Sequence, residues 1–297
     1  MSGSYDAATR SFDVDEGDIG NANVGVALSG SMDFSGSDVR FRAGVAGTSM
    51  SAETLKRLWP VFVARNVRDW FLEHLISGTV KRLVIAINAP LNTLKPSGPP
   101  IPDDGLALDA VATNCVIRLV QDLPALRDAD LNVHVVGRDA KIALNEATVD
   151  LPSGRTLIVS SEFAVADFEK TEPSARISIH LSGLTSGALE LLATDRIRTL
   201  LGPLSIRPTT VRGTITAQAT LAFPLNNREI SNQLNYAATA QVSNLVIDRF
   251  RGEEIEADTL QIDATTNSYK VTGLARINHV PTKLNIVGEL PFPGRSN

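Results

Sequence analysis

The side chains with the greatest chemical reactivity in this 297-residue chain are four histidines and one cysteine. No two histidines have the HxH or HxxxH spacing that would bring them to one metal ion, and they fall on separate predicted elements. The histidines are His74, His134, His180 and His279. A single cysteine, Cys115, cannot form an intramolecular disulfide or a cysteine-based zinc site. These residues predict no metal centre and no cofactor.

Carboxylates supply general acid and base catalysis when two of them face one substrate. The adjacent pairs Asp103-Asp104 and Glu253-Glu254 lie in predicted loops, where solvated turn residues are usual. The sequence contains no GxSxG elbow, no Walker loop and no GxGxxG fingerprint after a strand. We therefore expect a protein that is not an enzyme, and a β-sheet hydrolase with an unrecognised site is the enzymatic alternative.

The composition is that of a globular protein, with 43% hydrophobic and 21% charged residues. A formal net charge of -5 and scattered Lys and Arg argue against nucleic acid as a partner, because nucleic-acid binding needs a basic surface. There is no apolar run of about 18 residues, and the segment from Met1 to Gly30 lacks the pattern of a secretory leader. The chain as given is therefore expected to carry neither a membrane span nor a signal peptide.

The strongest helical pattern runs from about Ala52 to Ile76, where apolar residues recur every three or four positions. Ser51 is the predicted N-cap and Gly78 the predicted C-terminal cap. Pro60 predicts a kink or a break into two helices, with Pro60 in the first turn of the second, because proline has no amide hydrogen. The side chains expected to pack this helix onto a sheet are Leu58, Trp59, Phe62, Trp70 and Phe71.

Most of the remaining chain alternates between apolar and polar residues, as in the run from Val211 to Phe223. Connections are short and rich in Gly, Pro and Asn, which favours antiparallel pairing of successive strands. A second helix is predicted at about Ala188 to Leu201, and the polar residues 1–18 are predicted to be poorly ordered. The predicted fold is mainly β: a repeated, strongly curved antiparallel sheet forming a groove, with two helices capping or lining it.

An internal repeat indicates a modular chain. Gly78-Thr-Val recurs as Gly213-Thr-Ile at an offset of 135 residues (213 − 78), and two further islands recur at similar offsets. One of these pairs the segment beginning at Leu108 with the segment beginning at Leu234, and the other pairs Pro152 with Pro281. We predict that residues 1-50 end a preceding β unit, that 51-202 form a helix-plus-groove unit, and that 203-297 form a partial second unit.

Several short motifs resemble those of the AsmA-like and YhdP-like bacterial envelope proteins, which are related to TamB and to the bridge-like lipid transfer proteins. Trp59-Pro60 and Arg68-Asp-Trp70 precede Gly78-Thr-Val in this pattern. The other motifs are Leu123-Pro124, Leu151-Pro-Ser-Gly154-Arg155, Gly273, Ile277-Asn278 and Pro281-Thr-Lys-Leu284. The resemblance extends over residues 51–290 and lies in the order of the motifs, since none of them is diagnostic alone.

The resemblance implies a periplasmic protein tethered to the inner membrane, whose apolar β-groove carries phospholipid between the inner and outer membranes. This chain departs from the family because it lacks the N-terminal membrane anchor and most of the length. It is therefore expected to be a middle or C-terminal fragment. Phospholipid or another acyl-chain lipid is the expected ligand, and the inner membrane and other envelope proteins are the expected partners.

The alternation also predicts which side chains would line the groove, because they are the aliphatic phase of strands whose other phase is polar. They are Leu83, Ile85, Ile87, Ile177, Ile179, Ile215, Leu221, Val242, Val271, Leu284 and Ile286. Between Thr79 and Asn88 the opposite phase is apolar too, through Val84 and Ala86, as expected if a helix covers one side. The structural alternative is an envelope scaffold or adhesin-like β-rod whose interior is packed.

Overall fold

The computed structural model describes residues 2–21, 24–59, 65–95, 98–119, 122–201, 206–225 and 234–290. Four α-helices occur in these ranges: α1 (Ala52–Leu58), α2 (Arg65–His74), α3 (Thr185–Leu192) and α4 (Asp195–Leu201). The strands are β1 (Ser2–Asp6), β2 (Ser11–Asn21), β3 (Val24–Asp33), β4 (Arg40–Gly47), β5 (Met50–Ser51), β6 (Leu75–Pro90), β7 (Leu106–Ile117), β8 (Leu126–Val136), β9 (Asp139–Asp150), β10 (Thr156–Val165), β11 (Ser174–Leu184), β12 (Val211–Pro224), β13 (Asn235–Phe250), β14 (Glu253–Thr265), β15 (Ser268–Ile277) and β16 (Val280–Glu289).

All sixteen strands belong to one antiparallel sheet, and they cross it in chain order. β1 and β16 are its two edges, and β5 alone lies off this path, where it pairs with β6. Such an order needs only short connections, because antiparallel neighbours can be joined by tight turns. The predicted antiparallel, mainly β fold is confirmed.

The sheet is shared by two compact units. The first contains Met1–Ile117, Asp128–Asn145 and Ala164–Pro173, and the second contains Arg118–Arg127, Glu146–Phe163 and Ser174–Asn297. These boundaries follow spatial contacts, whereas the division at 50 and 202 follows sequence motifs. The motif-based division therefore stays a prediction about modules.

The beginning of the chain differs from the sequence-based expectation. Residues expected to be a poorly ordered lead-in form β1 and β2 instead, and β2 pairs with β3 from Ser11 opposite Asp33 to Asn21 opposite Val24. A polar segment can add to a sheet in this way because backbone hydrogen bonds, rather than buried side chains, connect it to its neighbour. Neighbouring strands that are already ordered thus compensate for weak local patterning.

Each predicted helix is a pair of shorter helices. α1 begins at the predicted cap, where the Ser51 hydroxyl accepts a hydrogen bond from the amide of Thr54 at 3.1 Å. It ends at Leu58, and Trp59 is extended, with φ -66° and ψ 117°. A residue before proline is disfavoured in the helical region, which explains the break. The predictions for Pro60 and Phe62 lie outside the described residues.

The second predicted helix breaks between α3 and α4. The amide of Ala193 donates to the carbonyl of Leu189 at 2.9 Å, and the Thr194 hydroxyl donates to the carbonyl of Leu191 at 2.8 Å. A new helix then begins at Asp195. Four helices therefore lie in the regions where two were predicted. A break of the first region into two helices was one of the predicted outcomes, whereas the break before Asp195 was not predicted.

Gly78 was wrongly predicted to cap the first helix pair. It lies inside β6 with a φ of +145°, where β7 places Asn114 and Cys115 opposite it as a β-bulge. A Cβ atom at this position would come within 2.6 Å of the Cys115 sulfur. Glycine is needed here because an L side chain would meet both an unfavourable φ and this close approach.

The same bulge recurs in the second unit. Gly213 of β12 has a φ of +119° and faces Asn244 and Leu245 of β13, and Asn244 has the same positive φ, 52°, as Asn114. This equivalence preserves the predicted match between Gly78 and Gly213. The partner strands match at an offset of 130 residues (244 − 114), so the alignment of Leu108 with Leu234 was four residues out of register.

Candidate functional site

One face of the sheet in the first unit is apolar across adjacent strands. The predicted residues Leu83, Ile85 and Ile87 of β6 are 5–7% exposed. Directly opposite partners in an antiparallel sheet share a face, so the pairing register extends this surface onto β4, β3 and β2. The partners on the same face are Gly47, Val45 and Ala43 of β4, then Val26, Leu28, Gly30 and Met32 of β3, then Phe12 and Val14 of β2.

Helix α1 lies over this apolar face and forms a pocket with it. Met50, Leu55 and Trp59 are buried at 4–7% exposure and line the pocket together with β2, β3, β4 and β6. The pocket volume is about 290 Å³. Among the described residues no charged side chain lines it, and serines 29 and 31 are the hydroxyl-bearing residues of its wall. The pocket can therefore hold an apolar group and offers nothing that would neutralise a charge.

The opposite face of these strands and of the neighbouring β7 and β8 carries polar side chains and is more exposed to solvent. Arg40 of β4 donates to the side-chain oxygen of Asn88 on β6 at 2.8 Å, and Ala86 is exposed while Val84 is half-buried. Asp109 of β7 and His134 of β8 make a 2.7 Å hydrogen bond. The predicted choice of phase in β6 thus corresponds to the buried side of the strand.

The second unit has an apolar face of its own. Ile177 pairs with Leu221, and Ile215 pairs with Val242. Through Leu260 and Ile262 of β14 the register continues to Gly273 and Val271 of β15, and then to Leu284 and Ile286 of β16. All eight predicted lining residues of this unit, including Ile179 opposite Ala219, therefore lie on one face. Between them lie small residues that the prediction did not name: Ala217, Ala219, Ala238 and Ala240.

These residues differ in how far they are covered. Val242 belongs to a buried cluster with Val211, Leu245 and Leu260, and Ile215, Val271 and Leu284 pack against it. Helix α3 reaches both this cluster, through Leu189, and a second cluster around Leu157, through Leu191. Ile286 is 47% exposed. The apolar face is therefore packed near α3 and more open toward β16.

The predicted helix-packing residues fall into two groups. Trp59 is 7% exposed, and its ring lies 5.6 Å from that of Phe71 on α2. Leu58 and Trp70 are 42% and 37% exposed, and the Trp70 ring lies 5.1 Å from the His74 ring. Leu55, which was not among the predicted contacts, is buried. The anchor of α1 is thus Leu55 with Trp59.

The sequence contained a signal for the pocket wall that the prediction did not use. In β3, Val26 and Leu28 are two positions apart, and in β4, Phe41 and Val45 are four positions apart. Each pair therefore lies on one face of its strand, and that face is apolar. The contribution of these strands depends on pairing with β6, which local patterning does not reveal.

The shifted titratable groups have structural explanations. Burial raises the pKa of the Cys115 thiol to about 11, and the nearby charge of Asp130 adds to this. Burial also raises the pKa of Tyr236, which lies on the apolar face opposite Leu221. In the described ranges, no group of three or more His, Cys, Asp or Glu residues is placed to hold a metal ion.

Glu190 of α3 connects this helix to the turn before β10. Its carboxylate accepts hydrogen bonds from the Ser153 amide at 2.9 Å and from the Arg155 guanidinium at 3.2 Å. Desolvation by burial raises the pKa of Glu190, but the hydrogen bonds from Ser153 and Arg155 outweigh it, and the pKa is lowered. The ionised carboxylate therefore stabilises the packing of α3.

Comparison with protein-family models, with curated proteins and with solved structures gives no significant match to this chain. None of the helices in the described part of the chain has both the length and the apolar character needed to span a membrane. The apolar faces and the pocket are therefore the features of this chain that point to a function.

Proposed function

We propose that the protein is a non-enzymatic carrier of phospholipid or another acyl-chain lipid, and that the acyl chain lies on the apolar face under α1. The observation that supports this proposal is the pocket itself. It is about 290 Å³, and its wall is built from aliphatic and aromatic side chains of one sheet face. Burying an apolar chain there is favourable because it removes methylene groups from water.

The volume limits what the pocket can hold. It is about twice the size of a 150 Å³ cavity that binds benzene, so it accommodates roughly ten to twelve carbons. At about 0.8 kcal/mol per buried methylene, a ten-carbon segment would gain roughly 8 kcal/mol. This gain offsets a large part of the cost of withdrawing one acyl chain from a bilayer, while the headgroup stays outside the uncharged pocket.

The wider proposal follows the resemblance to AsmA-like and YhdP-like envelope proteins. It places the protein in the periplasm, tethered to the inner membrane in its full-length form, and passes lipid along a curved β-groove toward the outer membrane. Bulges such as that at Gly78 support the curvature, since a bulge bends its strand and increases the local twist. Packing of Ile215, Val271 and Leu284 against a core cluster favours the second candidate, a structural scaffold.

Two substitutions on one strand test the carrier function. Ala43 of β4 lines the pocket, whereas Ala46 of the same strand is exposed on the opposite face. We expect Ala43→Trp to fill the pocket and weaken binding of a fluorescent dodecanoic acid at least about tenfold, and Ala46→Trp to bind as the unmodified protein does. Phospholipid that co-purifies with each protein is measured by mass spectrometry.

The thermal midpoint of each variant separates loss of binding from loss of folding, and Ala43→Leu provides a smaller filling change. If the unmodified protein binds no acyl chain, or if Ala43→Trp binds it undiminished while folded, the pocket is not the lipid site. In the first case the scaffold becomes the favoured function.

A further inference from the structure

The two edges of the sheet are built differently. β1 has five residues, all exposed, and its register with β2 shifts between Ser2 and Gly3. Short, irregular and polar strands are the usual protection of a sheet edge against further pairing. β16 has ten residues and pairs with β15 without a register shift, from Ser268 opposite Glu289 to Ile277 opposite Val280. Its edge is therefore long and regular.

β16 also exposes large apolar side chains. Ile286 is 47% exposed and Val287 is 68% exposed. The protective residues of an edge, Pro281, Lys283 and Glu289, lie toward the two ends of the strand, and none lies between Leu284 and Gly288. No strand pairs with the free side of β16 among the described residues. A regular edge with exposed β-branched residues is a template for one more strand.

We propose that β16 pairs antiparallel with β16 of a second copy of this chain, with Ile286 facing Ile286 of that copy. In this register Lys283 faces Glu289 of the second copy, and Glu289 faces its Lys283. Both side chains are exposed in the single chain. The β16–β16 pair therefore has an opposite-charge pair at each end and Ile286 opposite Ile286 at its centre.

Charge complementarity selects this register over its neighbours. Centring the two-fold axis on Asn285 would place Lys283 opposite Val287, and centring it on Val287 would place Glu289 opposite Asn285. Only the Ile286 centre matches both charges, and like or unmatched charges opposite each other weaken antiparallel pairing. Pro281 has no amide hydrogen, so the ladder is confined to the segment after it.

The same register keeps the two faces of the sheet continuous. Leu284 and Ile286 lie opposite Gly273 and Val271, which belong to the apolar face. A two-fold axis perpendicular to the sheet keeps this face on the same side in both copies. The dimer does not depend on lipid binding, but in a carrier it would extend the apolar face from one copy to the next.

Charge-reversed variants test the pairing through the mass in solution. We expect the unmodified chain to show a concentration-dependent dimer by analytical ultracentrifugation, since one strand pair buries less area than a typical stable interface. Lys283→Glu and Glu289→Lys should each weaken this dimer at least about tenfold, because each places like charges opposite each other. An equimolar mixture of the two variants should dimerise again, since every pair then has opposite charges.

Matched controls carry the same charge changes in strands inside the sheet, Lys141→Glu on β9 and Glu162→Lys on β10, where both residues are exposed. These controls should dimerise as the unmodified chain does. A chain that stays monomeric at its highest soluble concentration overturns the proposal. So does a mixture that fails to restore the dimer while both variants keep the unmodified thermal midpoint. Lipid binding by the monomeric variants would leave the proposed function intact.

Discussion

Replacing Ile215 with aspartate distinguishes a packed apolar face from an open one in the second unit. Ile215 is half-buried on β12 between Gly183 of β11 and Val242 of β13, and it packs against the cluster that contains Val242. Aspartate would remove these contacts and place a carboxylate against this apolar cluster. The substitution should therefore lower the free energy of unfolding of the second unit.

The size of the effect follows from two contributions. Loss of the aliphatic side chain costs about 2 kcal/mol, the lower end for isoleucine because this residue is only half-buried. Desolvation of the carboxylate adds about 1–3 kcal/mol. A total of about 3–5 kcal/mol is a large part of the roughly 5–15 kcal/mol that stabilises a typical domain.

The adjacent residue provides the control. Thr216 lies on the opposite face of β12, is exposed, and faces Ser182 and Gln241. Thr216→Asp should change the free energy of unfolding by less than about 0.5 kcal/mol. Urea unfolding followed by circular dichroism compares both variants with the unmodified chain. Equal midpoints for Ile215→Asp and Thr216→Asp would refute a packed face at this position.

Three further predictions follow from single positions. Gly78→Ala should destabilise the first unit by about 2–4 kcal/mol in the same urea assay, because the new Cβ would lie 2.6 Å from the Cys115 sulfur and the φ of this residue is +145°. Gly154→Ala is the control. It should cost about 1 kcal/mol, because the space around Gly154 is open. The pKa of Glu190 is lower in the folded chain than its ordinary value of 4.5, so the ionised carboxylate stabilises the fold at pH values above 4.5. This stabilisation is lost as the pH falls through the lowered pKa. Glu190→Gln should therefore flatten the dependence of the thermal midpoint on pH between about 3 and 6. The Cys115 thiol, buried and with a pKa of about 11, should react with a disulfide reagent at pH 8 only as fast as the chain opens, and reaction at the rate of a free thiol would show that the bulge is not closed.

The pattern of faces could be predicted from the sequence because it is a local property. Each strand alternates with a period of two, so the aliphatic phase is visible without knowledge of the neighbouring strand. Ile215, Val242, Val271 and Ile286 were assigned to one face on this basis, and the pairing register places them together. The antiparallel order followed in the same way from short connections.

Features that depend on two segments at once could not be predicted. Gly78 resembles a helix cap in sequence, but its role comes from Asn114 and Cys115 on the strand opposite. β1 and most of β2 are polar, and they pair by backbone hydrogen bonds with neighbouring strands. The pocket likewise requires α1 to lie over strands as far apart in the chain as β2 and β6.

The sequence alone therefore determined which side of the clearly alternating strands is apolar, and the tertiary structure decided where that side is covered. Alternation is encoded in a strand's own side chains. Coverage depends on which helix reaches the face, as Leu55 and Trp59 of α1 do in the first unit and Leu189 of α3 does in the second. A packed cluster and an open pocket can consequently arise from the same local pattern, because burial is a property of contacts between distant segments.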